Sequence, residues 1–149
     1  MCGRSVRRDL LIGGAALLSI LAGVGVFLAP DPRPDPTVSR GREVYAANCA
    51  VCHGQQLEGQ PDWQSPAANG RLPAPPHDKT GHSWHHSDAL LLSIIALGTA
   101  AVVGDGYESD MPGFAGALTP EDMEAVLAFI KSTWPEREAK YQRRVSGVE

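Results

Sequence analysis

Cys49 and Cys52 stand two residues apart, and His53 follows directly, in Asn48-Cys49-Ala50-Val51-Cys52-His53-Gly54. Two thiols at this spacing can add across the vinyl groups on one edge of a haem, and the adjacent imidazole can then become an axial ligand to the iron. Cys-x-x-Cys also serves as a redox dithiol or as half of a zinc site. A zinc site needs further Cys or His at regular spacing, and the chain offers only His77, His82, His85 and His86. A redox dithiol of the thioredoxin kind needs a βαβ context, which is absent. Cys2 stands apart; an odd cysteine count argues against a disulfide framework, and we read Cys2 as a thiol without a role. The residues therefore point to one covalent haem c on Cys49 and Cys52, with His53 on its iron.

A second axial ligand decides what such a haem does. Met1 is the initiator, and Met123 falls in a helical pattern where it reads as core. Met111 sits in Asp110-Met111-Pro112-Gly113-Phe114, a loop just before the last strongly patterned segment. A loop thioether is a soft ligand that suits iron and raises its potential. Nothing near Met111 supplies an acid–base pair, so the expectation is electron transfer rather than catalysis.

The elements that must position these groups are helical. Thr37–Asn48 reads as a helix ending at the Cys pair, with Gly54 making the turn. Ser87 or Asp88 caps a helix over Ala89–Leu97 that is apolar nearly all round (Leu90, Leu91, Leu92, Ile94, Ile95) and is expected to be buried, with Gly98 ending it. Thr119 is an N-cap, Pro120 suits the first helical position, and Glu121 and Asp122 favour the positive end of the helix dipole. Met123, Val126, Leu127, Ile130 and Trp134 then recur on one face. Residues 135–149 form a tail of alternating charge, expected to be a solvated helix extension. Between the haem motif and Ser87 lies a loop with four histidines in ten residues, His77 to His86. Loop histidines of this kind are read first as structural, then as docking or haem-propionate groups together with Arg71 and Trp84, and lastly as a second metal site.

Gly41 through Gly54 resembles the N-terminal helix and haem motif of class I cytochromes c. Met111-Pro112-Gly113-Phe114 and Leu118 through Lys131 resemble that family's Met loop and C-terminal helix. The likeness covers residues 38–134. It implies an all-α, small class I cytochrome c fold around one haem, with His53/Met111 ligation and one-electron transfer. It implies that Gly41 and Tyr45 cross the last helix near Phe129. It also implies a proline carbonyl that orients the axial histidine, for which Pro66 is the best positional match.

The chain has 149 residues, enough for one small domain and an appendage. Leu10–Ala29 is an uncharged apolar run; at about 1.5 Å per residue it spans about 30 Å, the thickness of the hydrocarbon core. Phe27 and Pro30 disfavour cleavage at its end, so it reads as an uncleaved signal anchor. Arg4, Arg7 and Arg8 keep residues 1–9 cytoplasmic and place residues 37–134 on the far side of a bacterial inner membrane, in the periplasm. Residues 30–36 alternate Pro with polar residues and form an extended spacer.

Of 13 Lys/Arg and 17 Asp/Glu, those three arginines and Asp9 lie before the apolar run, so the rest is acidic. This excludes nucleic acid as the partner and favours redox proteins with basic docking surfaces. Asp105, Glu108 and Asp110, near Met111, are candidates to steer them. The expectation is a membrane-tethered electron carrier. The alternatives are the cytochrome subunit of a larger membrane redox complex, and a haem protein whose His-rich loop binds metal.

Overall fold

The computed structural model describes residues 35–148, and all the regular elements among them are helical. The apolar run Leu10–Ala29, residues 1–9, most of the spacer and Cys2 lie outside the described residues. Among the described residues no helix is long and apolar enough to cross a membrane.

Helix α1 (Pro36–Asn48) starts where the Asp35 carboxylate accepts a hydrogen bond from the Thr37 amide at 2.7 Å, with Pro36 at the first helical position. Its most extensive packing is across α5 (Pro120–Ser132). The crossing is close because Gly41 has no side chain: a Cβ there would collide with the carbonyl oxygen of Ala125 and come within 2.8 Å of the Phe129 Cβ. One turn on, the Tyr45 and Phe129 rings meet at 5.4 Å. Arg40 closes the outer edge of the crossing, donating from Nε and Nη2 to both carboxylate oxygens of Asp122 at 2.8 and 3.1 Å. The expected meeting of Gly41 and Tyr45 with Phe129 is observed.

α5 follows the expected pattern. Thr119 Oγ1 accepts from the Asp122 amide at 3.2 Å, and Val126, Leu127, Ile130 and Trp134 are buried. Ala125 and Phe129 are buried too, on the α1 side, while Met123 is only partly buried.

α3 (Asp88–Leu97) is capped by Ser87, whose hydroxyl accepts from the Leu90 amide at 3.3 Å. α3 is expected to be buried against haem and neighbours, and protein neighbours alone cover it only in part. No residue of it is fully buried, and Leu90 and Leu97 are largely exposed. Leu91, Ile94 and Ile95 instead line a cavity. Gly98 then turns the chain into a short helix, α4 (Thr99–Val103), that the sequence reading missed.

The C-terminal tail is a helix, α6 (Glu136–Ser146), solvated over most of its surface but seated along one stripe. Glu138 and Gln142 are buried, and the helix packs on the single turn Ser83–His85. The two N–H groups on Gln142 Nε2 are shared among three acceptors, the His86 carbonyl (3.3 Å), Asp88 Oδ1 (2.5 Å) and Ser146 Oγ (2.8 Å). Lys131 of α5 reaches the same Asp88 carboxylate at 2.7 Å. Positions 138, 142 and 146 share one stripe of the helix. That stripe is polar, so hydrophobic periodicity does not reveal it.

Candidate haem site

Cys49 joins α1 to a further helical turn, α2 (Ala50–His53). The His53 amide donates to the Cys49 carbonyl at 2.9 Å and the Gly54 amide to Ala50 at 3.0 Å. Residues three and four apart in such a turn share a face, so Cys49, Cys52 and His53 converge on one side. Val51 between them points to solvent, 85 % exposed. Tyr45 ties the turn to α1: its hydroxyl donates to the Gly54 carbonyl at 2.8 Å. Burial, with Cys52 close by, pushes the Cys49 thiol up to about 11, so it is held as the neutral thiol at neutral pH.

Pro75, not Pro66, orients His53. The His53 Nδ1 lies 2.8 Å from the Pro75 carbonyl, whereas Pro66 is exposed. A carbonyl only accepts, so Nδ1 carries the proton and Nε2 keeps its lone pair for a metal. Burial also lowers the pKa of His53 against the opposing effect of the Pro75 bond, which keeps the ring neutral. The Pro75 segment is itself fixed. The Gln60 amide donates to the Ala74 carbonyl (2.8 Å), the Ala74 amide to Gln60 Oε1 (2.9 Å), and the His77 amide to the Leu57 carbonyl (2.8 Å). Such pairing lets residues 57–60 and 74–77 act as one rigid arm.

Met111 sits on a loop docked against α3 and α4. The Phe114 and Ala115 amides donate to the carbonyls of Ile95 (2.9 Å) and Ala96 (3.1 Å). Gly98, at φ 83°, lets the loop approach; a Cβ there would press on the Met111 carbonyl oxygen and the Gly113 nitrogen at 2.9 Å. The Met111 amide donates to Ser109 Oγ at 3.2 Å, and the Thr99 hydroxyl donates to Met111 Sδ at 3.4 Å.

These pieces enclose one mostly apolar cavity of about 420 Å³, a size typical of cofactor pockets. Cys49, Cys52, His53 and Met111 all line it, beside apolar residues of α3 and α5 such as Ile94, Ile95, Val126 and Ile130. Two thiols and an imidazole with a free Nε2 are the groups that hold a covalent haem c, and here they line a mostly apolar pocket together with a thioether, so the residues fit the group.

The four loop histidines do not form one cluster, although His82 and His86 meet edge to face at 5.3 Å. His77, His82 and His86 line the cavity, but His85 does not. His77 stacks on His53, with centroids 4.0 Å apart, and its Nδ1 meets Ser83 Oγ at 2.8 Å. His82 stacks on Trp63, while His85 stacks on Trp84. Among the described residues no three His, Cys, Asp or Glu groups gather to hold a metal ion. Trp84 Nε1 is buried without a partner. Arg71 is engaged by Asp110 and, at 3.5 Å, by Glu108, joining the loop after the haem motif to the Met111 loop.

Residues 38–134 match the cytochrome c family, described as "Cytochrome c". The chain is 33% identical over 96 residues to the cbb3-type cytochrome c oxidase subunit FixP of Sinorhizobium medicae (strain WSM419), covering 64% of this chain and 29% of that protein. It is 29% identical over 104 residues to the thiosulfate dehydrogenase of Stutzerimonas stutzeri (strain A1501), covering 69% and 29%. It is 27% identical over 117 residues to cytochrome c6 of Synechocystis sp. (strain ATCC 27184 / PCC 6803 / Kazusa), covering 78% and 82%. The chain thus spans less than a third of the first two relatives and most of the third. No solved structure matches the chain significantly. With a Cys-x-x-Cys-His motif lining a mostly apolar pocket, the chain belongs to the cytochrome c family, whose cofactor is a covalently bound haem c.

Proposed function

We propose that this chain is a membrane-tethered one-electron carrier, with its haem attached through Cys49 and Cys52 and its iron held by His53 Nε2 and Met111 Sδ. The observation that carries the reading is that all four side chains line one apolar cavity. The haem supplies a reversible one-electron couple. The chain does the rest. Pro75 keeps the His53 ring oriented and Nε2 unprotonated. The Met111 loop is pinned through Phe114 and Ala115 so that the thioether is held in place. Ile94, Ile95, Val126 and Ile130 exclude water, which lowers the local dielectric and favours the less charged, reduced state.

The tether is the apolar run Leu10–Ala29 with Arg4, Arg7 and Arg8 before it, which orients the domain to the periplasmic side of a bacterial inner membrane. Confinement to the membrane plane raises the effective concentration near membrane redox partners. Asp105, Glu108 and Asp110 are exposed and steer a basic partner, with Arg71 offsetting part of their charge.

The test is a visible and near-infrared spectrum of the membrane fraction during redox titration. A low-spin ferric haem with the weak sulfur-to-iron band, lost in Met111→Ala, is expected. A high-spin ferric haem in the wild type overturns the reading. A second reading, a cytochrome subunit of a larger redox complex, is favoured by the likeness to an oxidase subunit and to a dehydrogenase. A stable complex after mild detergent extraction supports it; a free monomer speaks for the carrier.

A further inference from the structure

Thr99 is the first residue of α4 and lines the cavity, and its hydroxyl donates to Met111 Sδ at 3.4 Å. Gly98, immediately before it, brings α4 against the Met111 backbone, so the hydroxyl and the sulfur are held in register by main chain on both sides. The Met111 amide donates to Ser109 Oγ, so it does not call on the Thr99 oxygen as its acceptor.

We propose that Thr99 is a positioning residue that sets the reduction potential by donating a hydrogen bond to the Met111 sulfur. The inference rests on Met111 as an iron ligand. A thioether sulfur carries two lone pairs. With one on iron, the other is free to accept the Thr99 proton. Donation draws electron density from the sulfur and weakens its σ-donation, which the ferric state needs more than the ferrous state. With Met111 on iron, the positive end of the O–H dipole would lie toward the metal, and the mostly apolar lining would magnify its effect. Both effects favour the reduced form. The couple takes up one electron from a donor redox protein, with no bond made or broken and no proton transferred.

Thr99→Val keeps shape and removes the donor; Thr99→Ser keeps the donor. In redox titrations of the haem-loaded protein, Thr99→Val is expected to shift the reduction equilibrium about tenfold toward the ferric form, about 59 mV for one electron. Its near-infrared sulfur-to-iron band should move, and Thr99→Ser should restore both values. Thr99→Ala carries the same expectation as Thr99→Val if the valine variant does not load haem. A wild type that shows the band together with valine and alanine variants of unchanged potential overturns the inference and leaves Met111 ligation standing. A wild type without the band overturns the ligation and this inference with it.

Discussion

The ring of His77 lies stacked on the ring of His53, with centroids 4.0 Å apart and planes inclined by 25°. His77 is therefore the backing plate of the expected axial ligand. It is pinned on its other side by Ser83, and its carbonyl accepts from Trp134 Nε1 at 2.8 Å. Its pKa is held well below the usual histidine value by burial first, then by His53 and His82, so the stack is between neutral rings.

Replacing His77 by Ala removes the backing and leaves a void beside His53. A loss of about 2–4 kcal/mol is expected in denaturant unfolding of the haem-loaded protein. His77→Phe keeps a flat ring and loses only the Ser83 bond, at about 1 kcal/mol. Equal losses in the two variants would count against the stacking role.

Gly41→Ala forces α1 away from α5, because its Cβ collides with the Ala125 carbonyl, a backbone atom that cannot swing aside. About 1–3 kcal/mol of destabilisation is expected from overpacking, despite the better helix propensity of Ala. Thermal unfolding followed at the haem absorbance reads it out.

Cys49→Ser combined with Cys52→Ser should leave a haem that acidified organic solvent extracts completely, whereas the wild type retains it. Cys52→Ser alone should keep one thioether, seen as a shifted α-band in the alkaline pyridine spectrum. Haem that stays bound in the double variant would show attachment elsewhere.

The Asp122 carboxyl is held below its ordinary 3.8 chiefly by the hydrogen bond from Arg40, across the α1–α5 crossing. A depressed carboxylate contributes stability that is present above the unfolded value and lost as pH falls through the folded one. Asp122→Asn should therefore be less stable than the wild type at pH 7. The gap should narrow as pH drops below about 3.8 and close in stronger acid. A gap that is constant from pH 7 to pH 2 would show that the ion pair contributes nothing.

The chemistry of this molecule is written in short local patterns, and those were legible. Cys49, Cys52 and His53 are three and four residues apart, so one helical turn brings them together. Thr119 and Pro120 announce α5, whose apolar spacing matches its buried face. What escaped has no side-chain signature. The acceptor for His53 is a backbone carbonyl, and any nearby proline could supply it; the pairing of residues 57–60 with 74–77 selects Pro75 over Pro66. The five residues of α4 show no alternation of polar and apolar types. His77 looked like its neighbours His82, His85 and His86, and only the arm that carries it sets it against His53. In α3 the apolar residues outnumber those that one face can pack: Leu91, Ile94 and Ile95 face the pocket, while Leu90 and Leu97 meet solvent.

The contacts of Gln142 make the C-terminal helix a support behind the pocket. His86 lines the cavity, and its carbonyl and the neighbouring Asp88 are held by a side chain more than fifty residues further along the chain. Proteolytic trimming of α6 then loosens the segment that carries His86 rather than removing a loose end. A recombinant domain cut at Trp134 would keep every residue that lines the pocket and lose the side chain that holds His86 and Asp88 in place.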